Sequence, residues 1–161
     1  MLRFFCKGSP ALDGLQYAFL RMLTTVRRVC GLVFGGGKND SPYDSVLFVN
    51  LTPMIAKKPS ELRNNEKVKA YHEGNIKKII SLINDRGGRI RNVLFCFGSS
   101  FRYNRELFSE VVRAITETLP PEKARYWCLG LSPKGYPIHP LAHMSGMGLK
   151  KLIISQILSL I

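Results

Sequence analysis

The stretch "NVLFCFGSS", residues 92–100, decides how the chain is read. Val93 to Phe97 form an unbroken apolar run that stops abruptly at Gly98, Ser99 and Ser100. A run so short and continuous is the mark of a strand buried on both faces, as in a parallel sheet, and the small residues after it mark a turn. The pattern recurs at "SVLFVNL" (45–51), the clearest strand in the chain, and at "ARYWCLGL" (124–131). A shorter version, "LRFFC", opens the sequence and stops at "KGSP".

Helical periodicity fills the spaces between these runs. Leu15, Phe19, Met22, Leu23, Val26 and Cys30 are spaced for one long or two short helices between Ala11 and about Phe34. Ile76, Ile79, Ile80 and Ile83 predict a helix from about Gly74 to Asp85, ended by "DRGGR". Leu107, Phe108, Val111, Val112, Ile115 and Leu119 predict a third over 104–119, with Asn104 as N-cap and Pro120-Pro121 as the stop. A last helix runs from Leu149 to about Leu160. Residues 35–44 are a loop, and "TPMIAKKPSELRNNEK" crosses the surface, with Ser60 placed to cap a short helix.

The alternation predicts a single α/β domain over residues 1–161. Its expected form is a three-layer α/β/α sandwich around a short, mainly parallel four-stranded sheet. Ligands of such sheets bind beyond the carboxyl ends of the strands. The Gly/Pro/polar clusters "KGSPALD", "NLTPM", "GSSFRYN" and "LSPKGYPIHP" should therefore converge on one face.

Lys and Arg number 24 against 11 Asp and Glu, a net charge of +13. Such an excess attracts polyanions through counterion release, and nucleic acid or nucleotide phosphate is the expected partner. The alternative is a solvated basic surface. No apolar run reaches the ~20 residues of a membrane span, and the opening "MLRFFCKGSP" lacks the pattern of a secretory signal. A soluble, cytoplasmic protein without a membrane partner is expected. Cys6, Cys30, Cys96 and Cys128 are too far apart for a zinc site and read as buried free thiols. No metal and no cofactor is expected.

"GGGK" (35–38) is a flexible connection and not a phosphate loop, because Leu32 and Asn39 occupy places that motif reserves for glycine and a hydroxyl. Arg27 and Arg28 suit bidentate phosphate contact or simple solvation. Asn50, closing an apolar strand, can read a base edge or satisfy loop backbone. Gly98 permits close approach, with Ser99 beside it as a hydrogen-bonding residue. Arg102, between Phe101 and Tyr103, combines phosphate contact with stacking surface. In "LSPKGYPIHPLAH" three prolines stiffen the backbone and Gly135 relieves it. Lys134 is placed for phosphate and Tyr136 for substrate. His139 lies between two prolines, aimed for acid–base work or for stabilising a developing anion.

Read in order, "VLFVNLTPMIAKKPSEL", "VLFCFGSS" and "CLGLSPKGYPIHPL" resemble the uncharacterised bacterial and phage domain-of-unknown-function family number 1643. The likeness runs from about Gly8 to Leu141. Asp13 matches the aspartate closing its first motif, and Thr25, Arg27 and Arg28 match the second. Asn50 and Leu51 match its Asn-Leu, Gly98 its Trp-Gly glycine, and Gly135, Pro137, His139, Pro140 and Leu141 its final motif. "GSPALD", Leu23 and Phe97 depart from the pattern, and Pro133 takes the place of its lysine. More distantly, the order of motifs is similar to the uracil-DNA glycosylase superfamily. That likeness implies His139 as electrostatic catalyst, Asn50 as base reader and Asp13 as the residue activating water. The expectation is a nucleic-acid-directed protein related to nucleobase glycosylases. The alternatives are a non-catalytic nucleic-acid-binding module and an enzyme acting on nucleotides or nucleosides.

Overall fold

Capping chemistry and apolar spacing account for the long helices. The computed structural model describes residues 24–33, 45–52, 54, 59–63, 65–86, 88–98, 102, 104–142 and 148–159. Residues 24–33 are helical (α1), with Val29 buried. A 3-10 turn, Pro59–Leu62, leads to α2, Glu66–Asn84. The Asn65 side chain accepts from the Lys67 N–H at 3.0 Å, satisfying one of the helix's unpaired first-turn donors. Val68, His72, Ile79 and Ile83 form its buried stripe.

α2 starts eight residues before the predicted Gly74, because the stripe extends upstream through Val68 and His72. A histidine in an apolar stripe is not counted by hydrophobic periodicity. Here it is buried and bonded through Nε2 to Glu110 Oε2 of the neighbouring helix, at 2.8 Å. That helix, α3 (Arg105–Thr118), buries Phe108, Val111, Val112 and Ile115 as predicted. Asn104 precedes it, but its side chain makes no cap. Its amide donates to Leu62 O instead, tying the 3-10 turn to the start of α3.

The sheet is three-stranded and mixed, in the order β1 (Asn92–Phe95), β2 (Arg125–Cys128), β3 (Lys150–Lys151). β1 and β2 run parallel, with Asn92 opposite Arg125 and Phe95 opposite Cys128, as the two apolar runs predict. β3 is antiparallel to β2 and pairs Lys151 with Trp127. It begins where a helix was expected, and α4 is confined to Ile154–Leu158. Side chains alternate across the sheet. Phe95, Tyr126 and Cys128 join α2 and α3 in the core, together with Leu152 just beyond β3. Phe95 stacks on Tyr126 with ring centroids 5.6 Å apart. The other face carries Asn92, Leu94, Trp127 and Lys151, and the Trp127 indole donates to Asn92 Oδ1 at 2.8 Å.

The α/β class is as expected, and among the described residues the sheet is smaller and more mixed than the expected four-stranded, mainly parallel one. Residues 45–51, the clearest predicted strand, form no ladder. Leu47, Phe48 and Val49 are 37%, 38% and 41% exposed, far from the burial their hydrophobicity suggested. At the end of the run, Asn75 of α2 donates its amide to Asn50 O and Leu51 O at 3.3 and 3.4 Å. A helix side chain occupies carbonyls that a neighbouring strand would use. The predicted strand at "LRFFC" lies outside the described residues, as do most of the predicted first helix and the 35–44 loop.

Candidate functional site

The chain leaving β2 folds into a small hairpin that delivers His139. Leu131 and Pro137 form an antiparallel bridge. Ile138 N–H donates to Gly130 O at 3.0 Å, and Ser132 N–H to Tyr136 O at 2.8 Å. The tip is a β-turn closed by Gly135 N–H on Ser132 O at 2.8 Å, with Pro133 in the second position and Gly135 in the fourth, the places these residues favour. The Ser132 hydroxyl also accepts from Tyr136 N–H at 3.1 Å. Lys134 is exposed at the tip, and Tyr136 is half-buried against the core. The prolines do more than stiffen this loop, because Pro137 and Pro140 are among the most deeply buried side chains in the protein.

β1 brings Gly98 onto the same loop. Gly98 N–H donates to Pro137 O at 2.9 Å. Its φ is 67°, and a Cβ there would lie 2.8 Å from the His139 Cβ. Glycine is required twice over, by backbone conformation and by the closeness of the histidine.

His139 is held in one chemical form. Its Nδ1 accepts from the Leu141 N–H at 3.1 Å, and its carbonyl accepts from Ala142 N–H at 2.9 Å. A backbone N–H can only donate, so the ring nitrogen facing it carries no proton and the imidazole proton sits on Nε2. An Nε2–H is a donor of the kind that suits an oxyanion or a base acquiring negative charge. α1 closes on the loop from another side, with Arg28 Nη1 donating to Pro140 O at 2.7 Å. Arg28 was expected at phosphate. In the structure it latches a helix to the histidine loop, a role that only a partner 112 residues away reveals.

Gly98, Arg28, Gly135, Tyr136 and His139 thus belong to one connected unit. Arg27 is exposed on α1, and Arg102 is exposed between β1 and α3. Asn50 is exposed and anchored through its carbonyl to Asn75. Among the described residues its side chain makes no hydrogen bond to the His139 loop. Asp13 and Ser99 lie outside the described residues. Asn75 was passed over, and the burial of Pro137 and Pro140 was not read from the motif. A polar residue on the inner side of a helix and buried prolines give no signal of their own without the fold.

Cys30, Cys96 and Cys128 are free thiols, with Cys128 buried and the other two half-buried. Burial pushes the Cys96 thiol up from 9.0 to about 11, away from nucleophilic chemistry at neutral pH. No helix among the described residues is long and apolar enough to cross a membrane.

Comparison with known proteins bears on the unit just described. Residues 22–141 match a family described as "Protein of unknown function (DUF1643)". The match takes in Arg28, Asn50, Gly98 and the whole histidine motif to Leu141, while Asp13 falls before it. No curated protein and no solved structure matches the chain, so the likeness to uracil-DNA glycosylases rests on the order of motifs. The matched span is most of the chain and ends on the loop that carries His139; the protein belongs to the DUF1643 family.

Proposed function

We propose that the protein acts on nucleic acid, DNA rather than RNA, with the His139 loop as its working centre and glycosidic bond hydrolysis as its chemistry. One observation carries this reading. The Leu141 N–H on Nδ1 leaves His139 a neutral Nε2–H donor, on a loop braced by Gly98 and Arg28. The net charge of +13 suits a polyanionic substrate.

In the proposed reaction the bond from C1′ to the base nitrogen breaks, and its electron pair leaves with the base. His139 Nε2–H donates to the oxygen on which that charge accumulates, as an oxyanion donor does. Water adds to C1′; one of its protons goes to the base or to solvent. Reaching the base requires taking it out of the stack. Asn50 is the proposed base reader and Asp13 the residue that activates water.

The test compares wild type with His139→Ala on oligonucleotides carrying modified bases, followed by alkaline cleavage at abasic sites. A loss of about 10²–10³ in rate is expected for removing one such donor. Equal cleavage by both proteins, or cleavage by neither, removes the role proposed for His139. Binding without cleavage by either would favour the alternative of a non-catalytic nucleic-acid-binding module, for which the positive charge is the supporting observation.

A further inference from the structure

We infer that the edge of the sheet opposite the His139 loop is a second contact surface, built for the phosphodiester backbone of nucleic acid and centred on Arg91, Lys123 and Arg125. The inference rests on the nucleic-acid reading above but concerns different residues. A surface cleft of about 370 Å³ is lined by Arg91, Asn92, Lys123 and Arg125, with Glu122 as its one acidic residue. It lies where the chain enters β1 and β2, while the histidine loop follows their exits.

The cations are brought together by the sheet itself. Arg125 N–H donates to Arg91 O at 2.8 Å, which ties the start of β2 to the residue before β1 and brings both arginines to the same end of the sheet. Arg91, Lys123 and Arg125 are all exposed, and none makes an ion pair among the described residues. On α2, by contrast, Lys69 pairs with Glu66 and Lys77 with Glu73, while Lys67 and Lys78 are exposed without an ion pair among the described residues. Arg86 and Arg89 are exposed on the connection into β1.

The form of the site separates a polymer from a small phosphate. A free phosphate is held by converging, buried donors. Here the cations are exposed and spread along two connections, an arrangement that suits successive phosphates of a chain. An anionic membrane would call for apolar side chains to insert, and Pro121 and Ala124 are the apolar members of the lining.

The experiment measures binding of the full chain to labelled duplex and single-stranded DNA across a salt series. The triple variant Arg91→Gln/Lys123→Gln/Arg125→Gln is compared with a control triple of equal charge, Arg63→Gln/Lys67→Gln/Lys78→Gln. Every substituted residue is exposed, and circular dichroism checks that both triples stay folded. The first triple is expected to flatten the log–log salt slope on duplex by about 2–3, at ~0.9 per phosphate, and to weaken low-salt binding at least about tenfold. The single variant Lys123→Glu should shift binding in the same direction, whereas the control triple and His139→Ala should leave the slope nearly unchanged. Equal losses in the two triples would assign the attraction to net charge and overturn this inference alone. Displacement of DNA by stoichiometric pyrophosphate would overturn it in favour of a small-phosphate site. No binding by wild type at low salt would overturn the inference and the proposed function together.

Discussion

Gly98 and His139 stand so close that one added methyl group at position 98 would lie 2.8 Å from the histidine Cβ. The end of β1 and the loop after β2 therefore meet on an atom that the protein omits. The contact joins two parallel strands at their exits and sets how far the histidine can move toward the sheet.

Gly98→Ala tests that relationship. A left-handed backbone at alanine costs about 1–2 kcal/mol, and the clash with His139 adds to it because Pro137 and Pro140 hold the loop from within the core. We expect a loss of about 2 kcal/mol or more in urea unfolding, with His139 resonances displaced in NMR spectra. A variant as stable as wild type, with an unmoved His139, would contradict the packing described.

Arg28→Ala removes the hydrogen bond from α1 to Pro140 O. Bonds to charged donors contribute about 1.5–3 kcal/mol in buried settings, and since Arg28 is exposed a loss of about 1 kcal/mol is expected. Hydrogen exchange should accelerate at Leu141 and Ala142, whose amides both bond to His139. Unchanged exchange there, with a flattened salt slope for DNA binding, would return Arg28 to a phosphate contact.

Gly74→Ala should stabilise the protein. The residue is exposed inside α2, and a Cβ there meets nothing within 4 Å. The gain expected from helix propensity is about 0.5–1 kcal/mol, read as a higher urea midpoint with unchanged slope. A destabilised variant would show that something outside the described residues packs against this turn.

Alkaline pH should unfold the protein through Cys96 and Tyr126. Burial raises the Cys96 thiol from 9.0 to about 11, so the folded state holds the proton more tightly than the unfolded chain. The stabilisation is complete below pH 9 and is lost as pH rises to about 11; two units correspond to about 2–3 kcal/mol. Tyr126 is raised from 10.0 to about 12 in the same sense, and its hydroxyl donates to Leu119 O. Cys96→Ala should flatten the fall in stability between pH 9 and 11. An unaltered pH profile would show that the thiol titrates normally.

Local sequence determined the elements whose signal lies within the element. Val93 to Phe97 and Ala124 to Leu131 announced a parallel pair, and the stripe through Phe108, Val112 and Ile115 announced α3. Gly-x-Pro-x-His-Pro-Leu likewise marked the loop that carries the candidate site. Turn preference and apolar period depend on residues a few positions apart, so they are readable before folding.

Tertiary structure decided everything that needed a distant partner. The run at 45–51 had the hydrophobicity of a strand, yet Asn75 of a helix took its terminal carbonyls. Lys150 and Lys151, unremarkable as sequence, became a strand because β2 offered an open edge. Arg28 found a carbonyl 112 residues away, and Gly98 found His139 across the sheet. The histidine itself was visible from the start, but the fold of its loop placed the proton on Nε2. Pairing, burial and tautomer depend on which groups meet in space, and hydrogen bonds between remote residues settle that.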